Sequence, residues 1–313
     1  MKKIFVLGGT GFLGGHVCEK LTRAGFALTV ATRRAVNGRK VQHLPGLTLQ
    51  EMDVHDKQAL EHAVSGHDAV VNLVAILHGN SESFAKAHVT LPKKILAACQ
   101  ANEVRRLVHI SALGADALNP ENRPSEYLRS KSRGEALLLA AASSLPELDL
   151  TIIRPSVIFG ADDKFLNLFA KLQAVFPIMP LAGANARFQP VWVEDVALGV
   201  VRALQRGVRG GECSETIEAC GPNVLTLREL VQMAARLSGA GGSMGRPVIA
   251  LPEWVGRLQA RLMELAPGEP LMSRDNLDSM KVDNIASGTL PGLGEWGIAP
   301  AALEPIARHY LGR

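Results

Sequence analysis

The sequence predicts an α/β protein with a doubly wound parallel sheet and a smaller, partly interleaved C-terminal α/β lobe. Short apolar runs alternate with helix-length segments through the first half of the chain, and a glycine-rich stretch follows the first run. Alternating strands and helices specify a parallel sheet with helices on both faces. The apolar runs are continuous, as expected for strands that are buried on both faces.

Composition supports a folded protein with a sizeable core. The 313 residues are 47% hydrophobic and 20% charged, which argues against disorder. No run approaches the roughly 18 apolar residues of a membrane span, and the first residues lead into a strand and not a signal peptide. The length suggests a sheet domain over residues 1–160 and a smaller lobe over residues 161–313, partly interleaved with the sheet.

Charge and cysteine usage exclude other classes of protein. A net charge of +4 and only two tyrosines give no basic, aromatic surface for nucleic acid. The sequence contains neither a C-x-x-C pair nor a histidine motif typical of metal sites, so we expect no metal site. The four cysteines are Cys18, Cys99, Cys213 and Cys220. Their spacing fits a reduced, cytoplasmic compartment best.

Six strands and four helices are predicted along the first half of the chain. The strands are residues 3–7, 27–32, 47–52, 69–75, 106–111 and 150–153. The helices are residues 16–24, 56–65, 84–102 and 130–144. Val17 and Leu21 share one face of the first helix, and Asp56 is the expected N-cap of the second. Pro92 lies in the first turn of the third helix or kinks it.

The second half is less regular. We predict helices at residues 165–176, 195–204 and 302–311, short strands at 190–193 and 216–219, and a glycine-rich loop at 239–245. Asp195 is expected to cap its helix. Thr226 and Glu229 form a capping-box pattern that opens a helix ending at Leu237.

A glycine-rich turn directly follows the first strand and opens the first helix. Glycine permits a tight turn and lets the backbone approach a pyrophosphate, which the helix N-terminus then binds through free N–H groups. This arrangement is typical of the Rossmann fold and predicts that residues 1–160 form a dinucleotide-binding domain. Two glycine registers fit the turn, whose residues are Gly8, Gly9, Thr10, Gly11, Phe12, Leu13 and Gly14.

The end of the second strand indicates which dinucleotide binds. An acidic residue there would bond the ribose 2′-hydroxyl of NAD, but this strand ends in Thr32, Arg33 and Arg34. Arginine pairs with a phosphate through a charged fork. We therefore expect NADP(H) to be preferred over NAD(H), with both arginines on the 2′-phosphate and Thr32 in support. A solvated strand end is the alternative.

Two further strand ends are expected at the cofactor. Asp53, followed by Val54, either holds the adenine amino group or caps a helix together with Asp56. The fourth strand is expected to end at the ligand edge of the sheet, in residues Leu73, Val74 and Ala75.

A candidate reaction centre follows the fifth strand. Tyr127 and Lys131 are four residues apart, so on a helix they share one face. A lysine ammonium beside a phenol is expected to lower the tyrosine pKa from about 10, so that the tyrosine can exchange a proton with a substrate oxygen. Ser111 ends the strand and is expected to polarise the same carbonyl.

The segment over residues 254–263 is amphipathic. Packing against the core is the favoured interpretation, while covering a substrate cleft or touching a membrane surface are alternatives. Trp192, Trp254 and Trp296 are expected to be packing residues.

These motifs together resemble the extended or atypical short-chain dehydrogenases/reductases of the epimerase/dehydratase superfamily. Within it, the chain is most similar to the group that contains the nucleotide-binding accessory subunit of respiratory complex I and its bacterial relatives. Beyond the segment from Tyr127 to Lys131, this resemblance rests on residues 154–160, 165–167, 189–193, 220–222 and 283–284.

The resemblance implies several functional expectations. It implies that Lys131 anchors the nicotinamide ribose, and that Pro155, Ser156 and Val157 lie by the nicotinamide carboxamide. It also implies a link to the respiratory chain or to quinone metabolism, with a quinone or another small carbonyl compound as substrate. A respiratory complex or the inner membrane face is an expected peripheral partner. The alternatives are a non-catalytic protein whose cofactor is structural and a sugar-nucleotide epimerase or dehydratase.

Overall fold

A computed structural model describes residues 2–207, 214–240, 242, 245–265, 268 and 270–312. In chain order, its strands are β1 (Lys3–Leu7), β2 (Ala27–Thr32), β3 (Leu47–Glu51), β4 (Ala69–Asn72), β5 (Arg106–Ile110), β6 (Asp149–Pro155), β7 (Ile158–Phe159), β8 (Met179–Leu181), β9 (Arg187–Phe188), β10 (Val191–Trp192), β11 (Ser214–Ala219), β12 (Leu225–Thr226) and β13 (Val248–Ala250). Cys213 and part of the loop predicted at 239–245 lie outside the described residues.

The predicted doubly wound sheet is confirmed. Seven parallel strands lie in the order β3-β2-β1-β4-β5-β6-β11. The direction of winding reverses between β1 and β4, so a crevice opens there at the carboxyl edge of the sheet. The seventh strand, β11, comes from beyond residue 160, which is the interleaving that the sequence predicts.

Helices cover both faces of the sheet. They are α1 (Phe12–Arg23), α2 (Lys57–Val64), α3 (Ser81–Ala85), α4 (Leu91–Ala101), α5 (Glu126–Ser144), α6 (Leu166–Val175), α7 (Val193–Arg206), α8 (Leu227–Leu237), α9 (Glu253–Glu264), α10 (Arg274–Ser279) and α11 (Leu303–Leu311). Side chains of α1 and α7 form one core with the sheet, and those of α2, α4 and α5 form the other. A third core joins α6, α8 and α11 in the C-terminal lobe. No helix within the described ranges has the length and hydrophobicity needed to cross a bilayer.

Local signals place several helix ends correctly. The Asp56 carboxylate accepts hydrogen bonds from the first turn of α2, and Thr226 and Glu229 form both bonds of a capping box at α8. The expected cap at Asp195 is wrong, because Trp192 is the N-cap residue of α7. The Asp195 carboxylate instead accepts the distant Ala301 N–H at 2.8 Å.

Three other predictions are wrong in instructive ways. The single helix over residues 84–102 is interrupted by a π-helical segment, Lys86–Thr90, which precedes α4. Helix α5 begins four residues earlier than predicted, because Ser125 caps it. The apolar side of α9 does not pack against the core: Trp254 is 71% exposed, whereas Trp296 is buried as expected.

Candidate dinucleotide and active site

The glycine turn brings the ends of β1 and β4 into close contact. Gly8 has a φ of +79°, and a Cβ there would lie only 3.0 Å from the Leu73 carbonyl carbon. A Cβ on Gly14 would lie 2.2 Å from the Gly8 carbonyl oxygen, which no side chain can tolerate. Gly9 faces the Val30 side chain with a Cβ distance of 2.8 Å. A side chain at Gly8, Gly9 or Gly14 would therefore disturb the turn, and these positions include glycines of both registers.

Helix α1 begins just beyond this turn without a side-chain cap. Gly11 is its N-cap residue, and its first turn contains no acidic side chain. By contrast, Asp56, Ser125 and Thr226 cap the helices that they precede. The first N–H groups of α1, on Phe12, Leu13 and Gly14, are therefore suited to an anionic ligand.

Two arginines form the predicted basic end of β2. Arg33, Arg34 and Asn37 line a surface depression of about 370 Å³, and neither guanidinium belongs to an ion pair within the described part of the chain. Thr32 is buried, and its hydroxyl donates to the Arg34 carbonyl at 2.9 Å, so it shapes this loop instead of facing a ligand.

The ends of β3 and β4 lie beside the same crevice. Asp53 is exposed and its carboxylate accepts the His55 N–H at 2.9 Å, while Asp56 alone caps α2. The joint cap is therefore wrong, and an adenine contact at Asp53 stays a prediction. After β4, the Val74 N–H donates to the Asn72 side chain at 3.1 Å, which fixes the turn through Leu73. Val54 is partly buried and Ala75 is exposed.

Ser111 has an unfulfilled hydrogen-bonding group at the site. It follows β5 directly and is 3% exposed, and its N–H donates to the Ile153 carbonyl. Its buried hydroxyl oxygen has no hydrogen-bond partner among the described residues. Buried hydroxyl groups usually have a hydrogen-bond partner, and a ligand at this strand end would supply one.

Lys131 reaches the same strand end from α5. It is almost fully buried, and its ammonium donates to the Ile110 carbonyl at 3.0 Å. Burial lowers its pKa to about 8, although the Glu135 carboxylate one turn further acts in the opposite direction. Arg154 at the end of β6 forms a forked ion pair with that buried Glu135.

Tyr127 lies at the start of α5, on the same face as Lys131. The expectation that Lys131 lowers its pKa is wrong in this structure, because burial and the Asp275 carboxylate hold that pKa above its ordinary value. Asp275 accepts the N–H groups of Glu126 and Tyr127 at 2.6 and 3.1 Å, so a residue of α10 caps α5. No local pattern in the sequence connects these two positions.

His88 is a site residue that the sequence does not reveal. It lies in the π-helical segment, with its ring edge-on to Tyr127 at a centroid distance of 5.5 Å. Its Nε2 accepts the Ile76 N–H, so Nδ1 carries the proton toward Ser130, whose hydroxyl donates to the Tyr127 carbonyl. Burial lowers the pKa of His88 to about 2. π-Helical segments often occur at functional sites.

A second buried histidine lies beneath the site. His109 on β5 contacts the Asn72 side chain on β4 at 3.0 Å, and its Nε2 is buried without a partner among the described residues. Burial lowers its pKa to about 3, and the Lys131 ammonium acts in the same direction. The imidazole is therefore neutral at ordinary pH.

The segment after β6 is bonded to the C-terminal tail. Pro155 ends the strand, and the Ser156 N–H donates to the Ala219 carbonyl at 3.0 Å. The Asn284 side-chain oxygen accepts both the Ser156 hydroxyl and the Val157 N–H, at 2.6 and 3.0 Å. A nicotinamide carboxamide at this segment, which the resemblance implies, thus remains a prediction.

These observations define a dinucleotide-binding protein of the Rossmann class. The tight turn, the uncapped helix and the paired arginines suit a phosphate-bearing ligand, and the orphan hydroxyl of Ser111 suits a polar group beside it. Residues 4–217 match the NAD dependent epimerase/dehydratase family, and the chain belongs to that family.

Individual relatives range from a respiratory-chain subunit to enzymes. The chain is 32% identical to mouse mitochondrial NADH dehydrogenase [ubiquinone] 1 alpha subcomplex subunit 9, over 98% of this chain and 79% of that protein. It is 28% identical to 2-alkyl-3-oxoalkanoate reductase of Stenotrophomonas maltophilia, over 76% of each. A Thermus thermophilus UDP-glucose 4-epimerase in complex with NAD shares the fold, with a TM-score of 0.70, 20% identity, and coverage of 99% and 97%.

Proposed function

We propose that the protein binds NADP(H) in preference to NAD(H) and reduces a small carbonyl compound or quinone in respiratory-chain or quinone metabolism. The buried, unpartnered hydroxyl of Ser111 carries the proposal, because it follows the strand end to which Lys131 is bonded. An unsatisfied buried hydroxyl costs free energy, and a substrate oxygen would remove that cost. The link to the respiratory chain rests on similarity to the mouse subunit and implies a respiratory complex or the inner membrane face as partner.

The cofactor would be held mainly by backbone and by arginine. The N–H groups at the start of α1 would bind the pyrophosphate, and Arg33 and Arg34 would bind the 2′-phosphate. Glycines 8, 9, 11 and 14, with Thr10, form the turn beneath it. A bound nicotinamide supplies or accepts a hydride.

We assign proton transfer to Tyr127. Burial and Asp275 keep its phenol protonated, so the phenol can serve as a proton donor to a carbonyl oxygen, whereas no phenolate is present to remove a proton from an alcohol. Lys131, four residues further on the same helix face, is the cation assigned to anchor the nicotinamide ribose. Ser111 would donate to the same carbonyl oxygen and orient it.

Cofactor choice is tested by calorimetric titration of NADPH and NADH. We expect tighter binding of NADPH by the wild type, and selective loss of that preference in Arg33→Glu. Arg39→Glu is the matched control, because Arg39 is exposed in the same loop but does not line the depression. Tighter binding of NADH by the wild type contradicts the assignment.

Turnover is tested by incubating NADPH with a panel of quinones, aldehydes and ketones. We expect Tyr127→Phe to lose activity while it keeps its affinity for NADPH. Equal rates in wild type and variant would instead favour a binding protein with a structural cofactor. Two observations favour that second function: the Lys131 ammonium is bonded to the Ile110 carbonyl, and the pKa of Tyr127 is raised and not lowered.

A further inference from the structure

One surface of the C-terminal lobe exposes large apolar side chains. Nine of the thirteen exposed large hydrophobic residues in the described part of the chain lie within residues 175–178 and 249–271. Four of them share one side of α9 and its end, and we name this side the α9 face. It consists of Trp254, Leu258, Leu262 and Leu265, which are 71%, 51%, 61% and 78% exposed.

Packing of small residues turns this face outward. Gly256 and Ala260, one turn apart, form the buried side of α9, and a Cβ on Gly256 would lie 2.6 Å from that of Ala182. Such close packing requires small side chains and leaves the large ones on the opposite side. Helices of soluble proteins normally bury their large apolar side chains, whereas α9 buries its small residues and exposes its large apolar ones.

The strand pair next to α9 extends the apolar surface. Strand β13 leads into α9 and pairs with β8 in a register that places exposed Ile249 beside Pro180. Phe176 and Ile178, directly before β8, are also about half exposed. Exposed apolar surface of this extent indicates a binding surface and not ordinary solvent contact.

Two exposed cations lie on the helices that carry these apolar side chains. Residues 164–183 and 245–265 carry five basic and two acidic side chains. Arg261, on α9, and Lys171, on α6, are exposed and belong to no ion pair within the described residues. Arg257 is partly neutralised by Asp278 at 2.8 Å. Arg261 directly precedes Leu262 of the α9 face, and Lys171 lies one helical turn before exposed Val175.

We propose that the α9 face binds the surface of a lipid bilayer that contains anionic lipid. A helix with leucine and tryptophan on one side and arginine on its flanks lies in the plane of a membrane interface, with its apolar side among the acyl chains. Arg261 and Lys171 then meet the headgroup phosphates. Tryptophan prefers this interfacial depth, because its ring is apolar and its N–H is polar. The negative charge of such a bilayer is complementary to Arg261 and Lys171. The proposal does not depend on the dinucleotide site.

Vesicle co-sedimentation of the full chain tests the proposal. We expect binding to vesicles of phosphatidylcholine and phosphatidylglycerol at 3:1, and at least tenfold weaker binding to phosphatidylcholine alone. The Leu258→Asp/Leu262→Asp variant should bind the anionic vesicles at least tenfold more weakly than the wild type. The matched control is Leu118→Asp/Val224→Asp, which changes two exposed apolar residues outside this surface and should bind like the wild type.

Further measurements distinguish membrane binding by the α9 face from self-association through it. Tryptophan emission should shift to the blue on vesicle binding, and the shift should disappear in Trp254→Phe. Circular dichroism and NADPH titration should show that the Asp variants remain folded. The proposal is overturned if wild type binds neither vesicle, if the α9 variant binds as tightly as the control, or if light scattering shows a self-association that only the α9 variant loses, without vesicle binding.

Discussion

The two parts of this molecule depart from ordinary packing in opposite ways. Residues 2–160 contain thirteen of the eighteen buried polar side chains in the described part of the chain, including His88, His109, Ser111 and Lys131, and they expose only three large hydrophobic residues. The described residues beyond 160 expose ten large hydrophobic residues and bury few polar groups. Buried polar groups indicate a small-molecule site, whereas exposed apolar groups indicate a docking surface.

The buried histidines should make the stability of the first part strongly dependent on pH. The folded pKa values of His88 and His109 are about 2 and 3, below the unfolded value of about 6.5. Their neutral forms are therefore favoured by folding, and stability falls as pH drops below 6.5. Between pH 7 and pH 5 the loss should be about 2 kcal/mol for each histidine, or about 4 kcal/mol for both.

Urea unfolding at both pH values measures this loss. The variant His43→Gln, which changes an exposed histidine, should show the same loss as the wild type. A free energy of unfolding that is equal at pH 5 and pH 7 would mean that the two imidazoles are not buried as neutral groups.

A methyl group added to the glycine turn should have the next largest effect. In Gly14→Ala the new Cβ would lie 2.2 Å from the Gly8 carbonyl oxygen, so the turn must open. We expect a loss of about 3 kcal/mol of stability and the loss of NADPH binding. Gly15→Ala is the matched control on the same helix, because its Cβ would meet no atom closer than 4.0 Å. It should retain binding, and equal affinities in the two variants would contradict a backbone-built phosphate site.

Asp275 connects the two parts, since it lies on α10 and caps the helix that carries Tyr127. Asp275→Asn removes the negative charge from the N-terminus of α5, which should cost about 1 kcal/mol. It should also lower the pKa of Tyr127, because that carboxylate raises it. Asp278→Asn changes the same helix but removes the partner of Arg257 and Lys281 instead.

Urea unfolding and tyrosinate absorbance measure both effects. Tyr127 and Tyr310 are the only tyrosines, so a Tyr310→Phe background isolates the signal. Absorbance that rises at the same pH in Asp275→Asn and Asp278→Asn would show that Asp275 does not act on the phenol.

Local patterns predict the first part of the molecule well. Strands buried on both faces are continuous apolar runs, and the glycine turn is needed for a close backbone approach, so both are visible in the chain itself. The π-helical segment at His88 has no such signal. It packs so closely on α5 that a Cβ at Gly134 would lie 2.0 Å from the His88 carbonyl oxygen, a contact between distant parts of the chain.

Periodicity predicts the existence of α9 but not its orientation. The pattern shows a small side, with Gly256 and Ala260, and a large apolar side, with Leu258 and Leu262. Hydrophobicity alone favours burying the large side, whereas the close approach of Ala182 selects the small one. The contact of Asp275 with Tyr127 joins residues 148 positions apart and likewise depends on tertiary packing.

Removing a helix cap from each part should have the smallest effect on stability, and it tests whether the two parts unfold as one. Asp56 caps α2 in the first part and Thr226 caps α8 in the second, and replacing either with alanine should cost about 1 kcal/mol. We propose that the boundary near residue 160 does not separate two folding units, because β11 completes the sheet from beyond it. Each variant should then shift one common urea transition by a similar amount, whether it is followed by circular dichroism or by tryptophan fluorescence. Two transitions, of which Thr226→Ala shifts only one, would instead show that the C-terminal lobe unfolds independently and that its exposed apolar surface belongs to a separable domain.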